Sequence, residues 1–252
     1  MNMKKMMAAN WKMHKTRAEA RESAATLIGS LASMPDDREV VIFAPYTVLA
    51  DCAEAFAGKN GFSLGGQNVY SEDHGAFTGE VSPAMLRDAG CTHVLTGHSE
   101  RRSLFHESSE TIGKKTAFAL AQGLKVTLCI GETLEEREGG KLKAVLQEQL
   151  TKGLADVDNA VSEDVLAIAY EPVWAIGTGK VAGPAEILET HAIVRGLLVA
   201  RFPKQGKSIR ILYGGSVKPD NASEIITLDN VDGVLVGGAS LDAASMRKIV
   251  LA

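Results

Sequence analysis

The chain has 252 residues, of which 45% are hydrophobic and 23% charged, and its formal net charge is −4. These fractions are typical of a globular protein and exclude a disordered or fibrous chain. The acidic balance provides no basic surface for nucleic acid, and the longest apolar runs are too short to cross a membrane.

The N-terminus and the cysteines both favour a cytoplasmic protein. After Lys4 and Lys5 the only apolar residues before Asn10 are Met6–Ala9, whereas a secretory signal needs about 7–15 apolar residues. The three cysteines, Cys52, Cys91 and Cys129, are odd in number and include no Cys-x-x-Cys pair. We therefore expect reduced, buried thiols rather than disulfides.

Short apolar runs recur along the chain and are separated by longer amphipathic stretches. In chain order they are Met6–Ala9, Val40–Ala44, Phe62–Gly65, His93–Thr96, Lys125–Ile130, Val165–Tyr170, Ile209–Tyr213 and Gly233–Val236. Most of them lack polar/apolar alternation, which is typical of strands buried on both faces in a parallel sheet covered by helices.

The intervals between the runs have the periodicity of helices. Apolar residues recur at helical spacing between Ala20 and Leu31, and similar stripes lie within 142–150 and 187–198. Strand and helix patterns therefore alternate along the chain, which is typical of an α/β protein.

One of these helices has clear boundaries, and the whole series predicts a barrel. Ser82 provides an N-cap, Pro83 a first-turn proline and Gly90 a stop. Eight strand–helix units would close into an eight-stranded parallel (βα)8 barrel, and we predict one such domain over residues 1–252. A doubly wound open sheet is the alternative.

Ligands of barrels and of open α/β sheets bind at the carboxyl ends of the strands, so the residues that follow each run are candidate site residues. Segment 10–12 follows the first apolar run, His98 follows the fourth run, and Glu171 follows the sixth run. Glycine-rich turns at 214–216 and 237–238 follow the last two. We expect one rim to gather these groups.

Glu171 is the candidate base. A carboxylate at the end of a buried strand is costly unless it is paired or used, and Pro172 favours extended backbone at Glu171. Moved out of water by a closing lid, this carboxylate becomes a stronger base that can take a proton from carbon. A salt bridge at the rim is the alternative.

His98 and Lys12 are the candidate electrophiles. His98 precedes a predicted helix start, whose dipole favours the neutral imidazole, and a neutral imidazole can donate a hydrogen bond to a carbonyl oxygen. Lys12 shares its strand end with Asn10 and can stabilise an oxyanion or a phosphate. The alternatives are a capping or packing histidine and an ordinary surface lysine.

The late turns and the segment after Glu171 complete the predicted site. Turns at 214–216 and 237–238 occupy the positions where barrels bind phosphate through backbone N–H groups. The segment 172–180 carries Val173, Trp174 and Ile176 in its middle. It predicts either a lid that swings between open and closed positions or a loop packed permanently on the rim.

No metal, nucleotide or dinucleotide cofactor is expected. The segment 177–180 lacks the first glycine of a P-loop, because Trp174 stands there, and Val181 replaces the Ser/Thr. The segment 97–101 lacks the last glycine of a serine-hydrolase elbow. His106 has no second histidine four residues later.

The long connection from Gln67 to Ser82 is polar and contains glycine, yet it carries Val69, Tyr70 and Phe77. It predicts either an Ω-loop folded on its own barrel or an arm that buries these apolar groups in a partner subunit.

Several long motifs together resemble the triosephosphate isomerase family, and the resemblance covers essentially the whole chain. They are Asn-Trp-Lys-Met (10–13), Gly-Ala-Phe-Thr-Gly-Glu (75–80), Gly-His-Ser-Glu-Arg-Arg (97–102), Cys-Ile-Gly-Glu (129–132), Ala-Tyr-Glu-Pro-Val-Trp-Ala-Ile-Gly-Thr-Gly (169–179), Tyr-Gly-Gly-Ser (213–216) and Gly-Gly-Ala-Ser (237–240). The resemblance implies the interconversion of dihydroxyacetone phosphate and D-glyceraldehyde 3-phosphate.

The resemblance also implies roles for individual residues. It makes Glu171 the base that moves a proton between the two carbons, His98 the neutral electrophile, and Lys12 the positive charge that stabilises the intermediate. Asn10 orients the substrate. The phosphate is held by backbone N–H groups near four residues: Gly177, Ser216, Gly237 and Gly238. The segment 172–180 is implied to be the lid.

The resemblance further implies a homodimer in which the 67–82 arm docks into a second subunit and Thr78 reaches toward the neighbour's catalytic site. Residues 71–74 at the arm tip depart from the common family pattern.

Two other functions are compatible with the phosphate-binding turns at 214–216 and 237–238. One is a barrel isomerase or lyase for a larger phosphorylated metabolite, and the other is a catalytically silent phosphate-binding protein.

Overall fold

The computed structural model describes residues 3–176 and 180–252, and within them eight parallel strands form a closed barrel in the order β1 to β8. The strands are β1 (Lys5–Asn10), β2 (Arg38–Ala44), β3 (Phe62–Gly66), β4 (His93–Thr96), β5 (Lys125–Ile130), β6 (Leu166–Tyr170), β7 (Arg210–Tyr213) and β8 (Gly233–Val236). β8 pairs with β1 and closes the ring. The predicted (βα)8 barrel is confirmed, and the alternative of a doubly wound open sheet is wrong.

Helices surround the barrel. They are α1 (Arg17–Ser30), α2 (Leu49–Phe56), α3 (Pro83–Asp88), α4 (Ser99–Leu104), α5 (Ser109–Ala121), α6 (Leu134–Glu138), α7 (Leu142–Gly153), α8 (Pro184–Arg201), α9 (Ala222–Ile226) and α10 (Ala243–Val250). Short 3₁₀ helices cover Tyr46–Val48, Val173–Ala175 and Gly238–Leu241. Each connection between consecutive strands contains at least one helix, and in the β3–β4 connection the long 67–82 segment precedes α3.

Burial on both faces explains why the strand sequences lack alternation. One set of side chains fills the barrel interior and comprises Met6, Ala8, Val41, Phe43, Leu95, Cys129, Ala169, Leu212 and Leu235. The larger apolar cluster lies between the strands and the helices. Because both faces need apolar residues, the runs read as continuous.

The helix boundaries follow the predicted signals. The Ser82 hydroxyl accepts a hydrogen bond from the Met85 N–H (3.3 Å), and Pro83 is the first residue of α3. Gly90, just beyond the helix, has a φ of +88°, which a glycine adopts without strain. At α1, the Glu19 carboxylate accepts from the Thr16 N–H (2.7 Å).

The three cysteines are free and buried. Burial raises the pKa of Cys52 and of Cys91 to about 12, so neither thiol ionises near neutral pH. Across residues 3–176 and 180–252, no helix has the length and apolar character needed to cross a membrane.

Two histidines are buried with one ring nitrogen unpartnered. In β4, His93 Nδ1 shares a hydrogen bond with the Thr92 hydroxyl (2.8 Å). In α8, His191 Nδ1 lies 2.8 Å from the Asn230 carbonyl oxygen. Neither Nε2 has a hydrogen-bond partner within the described part of the chain, so no nearby acceptor stabilises a second ring proton.

Acid should destabilise the fold through these histidines. Burial lowers the pKa of His93 to about 3 and that of His191 to about 4, whereas an unfolded histidine titrates near ~6.5. The unfolded chain therefore binds protons first, so stability is intact above pH ~6.5 and falls as the pH drops toward the folded pKa values, by ~1.4 kcal/mol per pH unit per histidine.

The measurement is the free energy of unfolding in urea between pH 7 and pH 5. In His93→Gln the loss of stability per pH unit should be smaller by ~1.4 kcal/mol than in the wild type. His14→Gln is the control, because His14 is exposed. An unchanged slope in His93→Gln would contradict the assignment.

Candidate active site

The carboxyl end of the barrel carries a cavity of about 380 Å³. It brings together every predicted site residue that the structure describes, namely Asn10, Lys12, His98, Glu171, Ser216, Gly237 and Gly238. Gly177, also predicted for the site, lies outside the described residues. The strand ends thus converge as the fold class requires.

Glu171 follows β6 directly and is buried, with 2% of its surface exposed. Its Oε1 lies 3.0 Å from His98 Nε2, and its Oε2 accepts a hydrogen bond from the Ser99 N–H (2.9 Å). Burial raises the pKa of this carboxyl group, but the contacts with His98 and Ser99 outweigh burial and hold the pKa below its usual value. Glu171 is therefore an ionised carboxylate in a dry site.

His98 lies at the end of β4 and caps α4. Its Nδ1 accepts a hydrogen bond from the Glu100 N–H (3.3 Å), which places a proton on Nε2, facing Glu171. Burial lowers the pKa of His98, but the Glu171 carboxylate outweighs it and the pKa is raised. The predicted preference for a neutral ring is thus opposed as long as Glu171 is in contact.

Lys12 has a strained backbone and a paired side chain. Its φ is +51°, in the left-handed region that favours glycine. Its N–H donates to Asn10 Oδ1 (2.9 Å), and its Nζ lies 2.6 Å from Glu100 Oε1. The Nζ atom is thereby held at the mouth of the cavity, within the reach of an anionic ligand.

Gln67 is a site residue that the sequence analysis did not single out. Its Nε2 lies 2.9 Å from the Lys12 carbonyl oxygen, 3.2 Å from Asn10 Oδ1 and 3.1 Å from the Phe43 carbonyl oxygen. These contacts hold the strained Lys12 backbone in place. The signal was present, because Gln67 directly follows β3 and so lies on the same rim.

The turns at 214–216 and 237–238 also line the cavity. Ser216 follows β7, and Gly237 and Gly238 follow β8. A Cβ on Gly237 would lie 3.4 Å from Lys12 Cε, and a Cβ on Gly238 would meet nothing within 4 Å. The two glycines therefore leave space beside the lysine in which an anion can approach the backbone.

The predicted lid begins with a packed 3₁₀ helix. Trp174 Nε1 donates to Glu132 Oε1 (2.9 Å), which also accepts from the Tyr170 hydroxyl (3.0 Å) and from Arg137 (3.0 Å). Ala175 is buried and Trp174 is half-buried. This end of segment 172–180 rests on the rim, and residues 177–179 lie outside the described part.

The segment 67–82 projects from the barrel. Residues 72–80 are exposed, and the Tyr70 and Phe77 rings lie 4.6 Å apart. Next to the main cavity is a second one of about 230 Å³, which shares Asn10, Lys12 and His98 with it. Exposed apolar side chains are found near both features: Met13, Tyr46, Phe77, Met85 and Phe105.

The described residues contain no group of three or more His, Cys, Asp or Glu side chains arranged to hold a metal ion. The chemistry available at the rim is that of a buried carboxylate, an imidazole 3.0 Å away and a lysine ammonium. Together they can move a proton on carbon and stabilise a neighbouring oxyanion.

Comparison with known proteins gives the same family throughout. The family model described as "Triosephosphate isomerase" matches residues 5–252. A triosephosphate isomerase from Nitratidesulfovibrio vulgaris (strain DSM 19637 / Miyazaki F) is 62% identical over 99% of this chain and 100% of its own length. One from Lawsonia intracellularis is 47% identical over 98% of each chain. A crystal structure of triosephosphate isomerase from Bartonella henselae has a TM-score of 0.88 and 38% identity, covering 98% of each chain.

Proposed function

The chain belongs to the triosephosphate isomerase family, and we propose that Glu171, His98 and Lys12 carry out its reaction in the cavity at the barrel rim. The protein is an isomerase that interconverts dihydroxyacetone phosphate and D-glyceraldehyde 3-phosphate, a step of glycolysis and gluconeogenesis. The observation that carries the assignment is the 3.0 Å contact between the buried Glu171 carboxylate and His98 Nε2.

Glu171 takes the proton from one substrate carbon and returns it to the other. Its low pKa keeps it ionised in the free enzyme. A Cβ on Gly214 would lie 2.9 Å from Glu171 Cγ, so a glycine there leaves room for the Glu171 side chain. In the reaction this side chain turns from Ser99 toward the substrate. Leaving the Ser99 N–H and the His98 ring raises the basicity of the carboxylate when the proton must move.

His98 polarises the substrate carbonyl. A substrate that contacts both groups must lie between Glu171 and His98, so binding breaks their hydrogen bond. The carboxylate then no longer raises the pKa of His98, while burial still lowers it. The neutral ring donates Nε2–H to the carbonyl oxygen and stabilises the enediol(ate) intermediate.

Lys12 and the late turns hold the charged parts of the substrate. The Lys12 ammonium neutralises charge on the intermediate and on the phosphate, and Asn10 orients the substrate. Backbone N–H groups near Ser216, Gly237 and Gly238 bind the phosphate. We assign the same role in phosphate binding to the backbone N–H near Gly177.

The segment 172–180 closes over the bound substrate as a lid. A lid movement that carries Trp174 would break its hydrogen bond with Glu132. A closed lid excludes water, which strengthens Glu171 as a base and protects the enediolate from loss of phosphate.

We also propose a homodimer built on the 67–82 arm, acting as one catalytic domain per chain in the cytoplasm. Support comes from Phe77, which is exposed on the arm, and from Met13 and Phe105, which are exposed at the neighbouring rim. Val69, by contrast, is buried within its own chain. In this proposal the tip of a partner's arm, with Thr78, enters the 230 Å³ cavity beside Lys12. An apolar surface of this kind is normally covered.

Replacing Thr78 by Arg should dissociate the dimer and lower kcat, because a long cation would have to enter the partner's cavity. Light scattering should give twice the 26.7 kDa chain mass for the wild type and one chain mass for the variant. Thr151→Arg is the control, since Thr151 is exposed on α7. A wild-type molar mass equal to one chain would refute the dimer.

The reaction itself is tested by isomerisation of D-glyceraldehyde 3-phosphate, followed through NADH consumed by a coupled dehydrogenase. We expect turnover that persists in EDTA and is much slower with five-carbon sugar phosphates. Phosphate-analogue binding without turnover by the folded protein would instead indicate a silent binding protein.

A further inference from the structure

We propose that Gln149 is a positioning residue for Glu171: its side-chain amide holds the Gly131 peptide against the Glu171 backbone. The inference rests on the role proposed above for Glu171 as the base. It assigns a part in the reaction to a residue of α7, a helix outside the barrel that does not line the substrate cavity.

The Gln149 amide forms two hydrogen bonds with Gly131. The Gly131 N–H donates to Gln149 Oε1 (2.8 Å), and Gln149 Nε2 donates to the Gly131 carbonyl oxygen (2.9 Å). A backbone N–H can only donate and a carbonyl can only accept, so the two contacts fix the orientation of the amide. A residue of an antiparallel strand would satisfy Gly131 in the same way.

Gly131 needs such a partner because it lies beyond the strand pairing on both sides of β5. The β4–β5 pairing ends with Thr96 opposite Leu128, and the β5–β6 pairing ends with Ile130 opposite Tyr170. Gly131 is nevertheless buried. A buried peptide group without a partner is costly, and the side chain of Gln149 supplies both the donor and the acceptor.

The Gly131 peptide is in direct contact with the backbone of the base. The Glu171 N–H donates to the Ile130 carbonyl oxygen (2.7 Å). A Cβ on Gly131 would overlap the Glu171 carbonyl oxygen and lie 2.7 Å from its carbonyl carbon. On the other side, Gly214 N–H donates to the Tyr170 carbonyl oxygen (2.7 Å). The backbone that carries the base is thus held between two turns, one of which Gln149 fixes.

Fixing this backbone matters because proton transfer depends strongly on distance. Catalytic groups must be held within ~0.5 Å of the productive geometry, and a shift of ~1 Å can cost ~10²-fold in rate. The phosphate turns lie on β7 and β8, away from Gln149. Loss of the amide should therefore lower kcat and leave KM nearly unchanged.

The first test compares the same substitution at two glutamines of α7. Gln149→Leu removes both hydrogen bonds and keeps the side-chain size; we expect kcat ~10-fold lower and KM for D-glyceraldehyde 3-phosphate within ~2-fold of the wild type. Gln147→Leu is the matched control, because Gln147 is exposed on the same helix. Its kcat and KM should equal those of the wild type.

The second test uses Gln149→Glu and the pH dependence of kcat. A protonated carboxyl group can accept from the Gly131 N–H and donate to its carbonyl oxygen, as the amide does, whereas a carboxylate can only accept. The ratio of the variant's kcat to the wild-type kcat should therefore fall as the pH rises from ~5 to ~8. A purely structural role of the side-chain size would leave this ratio constant.

Wild-type kcat in a folded Gln149→Leu protein, or a Gln149→Glu ratio independent of pH, would overturn the proposal. Should Gln149→Leu fail to fold, the Gln149→Glu ratio decides. Glu171→Gln is measured in the same assay, and full activity there would overturn the role of the base instead, so the two failures are distinguishable.

Discussion

Replacing Glu171 by Gln should lower kcat by ~10³-fold, because the amide cannot take up the proton that leaves the substrate carbon. The amide keeps the size of the side chain and can still accept the Ser99 N–H. Binding of the phosphate, which is assigned to the turns after β7 and β8, should persist. We therefore expect kcat to fall far more than KM changes, and initial rates over a range of substrate concentrations measure both.

The same variant also tests the effect of Glu171 on the pKa of His98. The contact with the Glu171 carboxylate raises the pKa of His98 against the effect of burial, so Glu171→Gln should lower that pKa, as measured by NMR titration of the ring. Glu224→Gln is the control, because Glu224 is exposed on α9. Retention of wild-type kcat by folded Glu171→Gln would falsify the assignment of the base.

Replacing Lys12 by Met should lower kcat/KM by ~10²-fold or more, because the charge opposite the intermediate and the phosphate is removed. Both kcat and KM should change, since the lysine contacts charge in the ground state and in the intermediate. The split between kcat and KM thus distinguishes this variant from Glu171→Gln. Steady-state kinetics at low ionic strength provide the measurement.

Two variants control for this loss. Lys59→Met removes an exposed lysine that precedes β3, at the end of the barrel opposite the rim, and should leave the rate unchanged. Lys12→Arg restores the charge and should recover part of the activity, though not all, since the guanidinium differs in shape from an ammonium. Equal activity of Lys12→Met and wild type would show that the charge is not used.

The strands were predictable because the barrel demands apolar residues on both faces. Their bounds differ from the predicted runs by at most two residues; β1, for example, extends to Lys5–Asn10. The interval after β4 was less clear. It contains two helices, α4 and α5, separated at His106, whose φ is +55°, and no glycine or proline in the sequence signals that break.

The rim rule also located the polar residues of the candidate site, because residues that follow parallel strands share one end of the barrel. It placed Asn10, Lys12, His98 and Glu171 around one cavity. The rule predicts where the site residues lie but not which of them are protonated. The contact between Glu171 and His98 opposes the neutral ring expected from the helix dipole, and that contact depends on side-chain rotamers.

Contacts between distant elements could not be predicted. Gln149 meets Gly131 only because α7 packs against β5, and the sequence shows no periodicity that links the two. Gln67 meets the Lys12 backbone across β2. In both cases one amide side chain satisfies backbone groups outside the strand pairing, and only the packed structure reveals which groups need it.

The central claim is that Glu171 carries the proton between the two carbons, and hydrogen exchange tests it most directly. Dihydroxyacetone phosphate is incubated in D₂O with the enzyme, and deuterium on the substrate carbons is followed by NMR. The account predicts steady incorporation with the wild type, because a proton held on a carboxylate can exchange with solvent before it returns. It predicts incorporation slower by ~10³-fold with Glu171→Gln. Exchange by the variant at the wild-type rate would contradict the account.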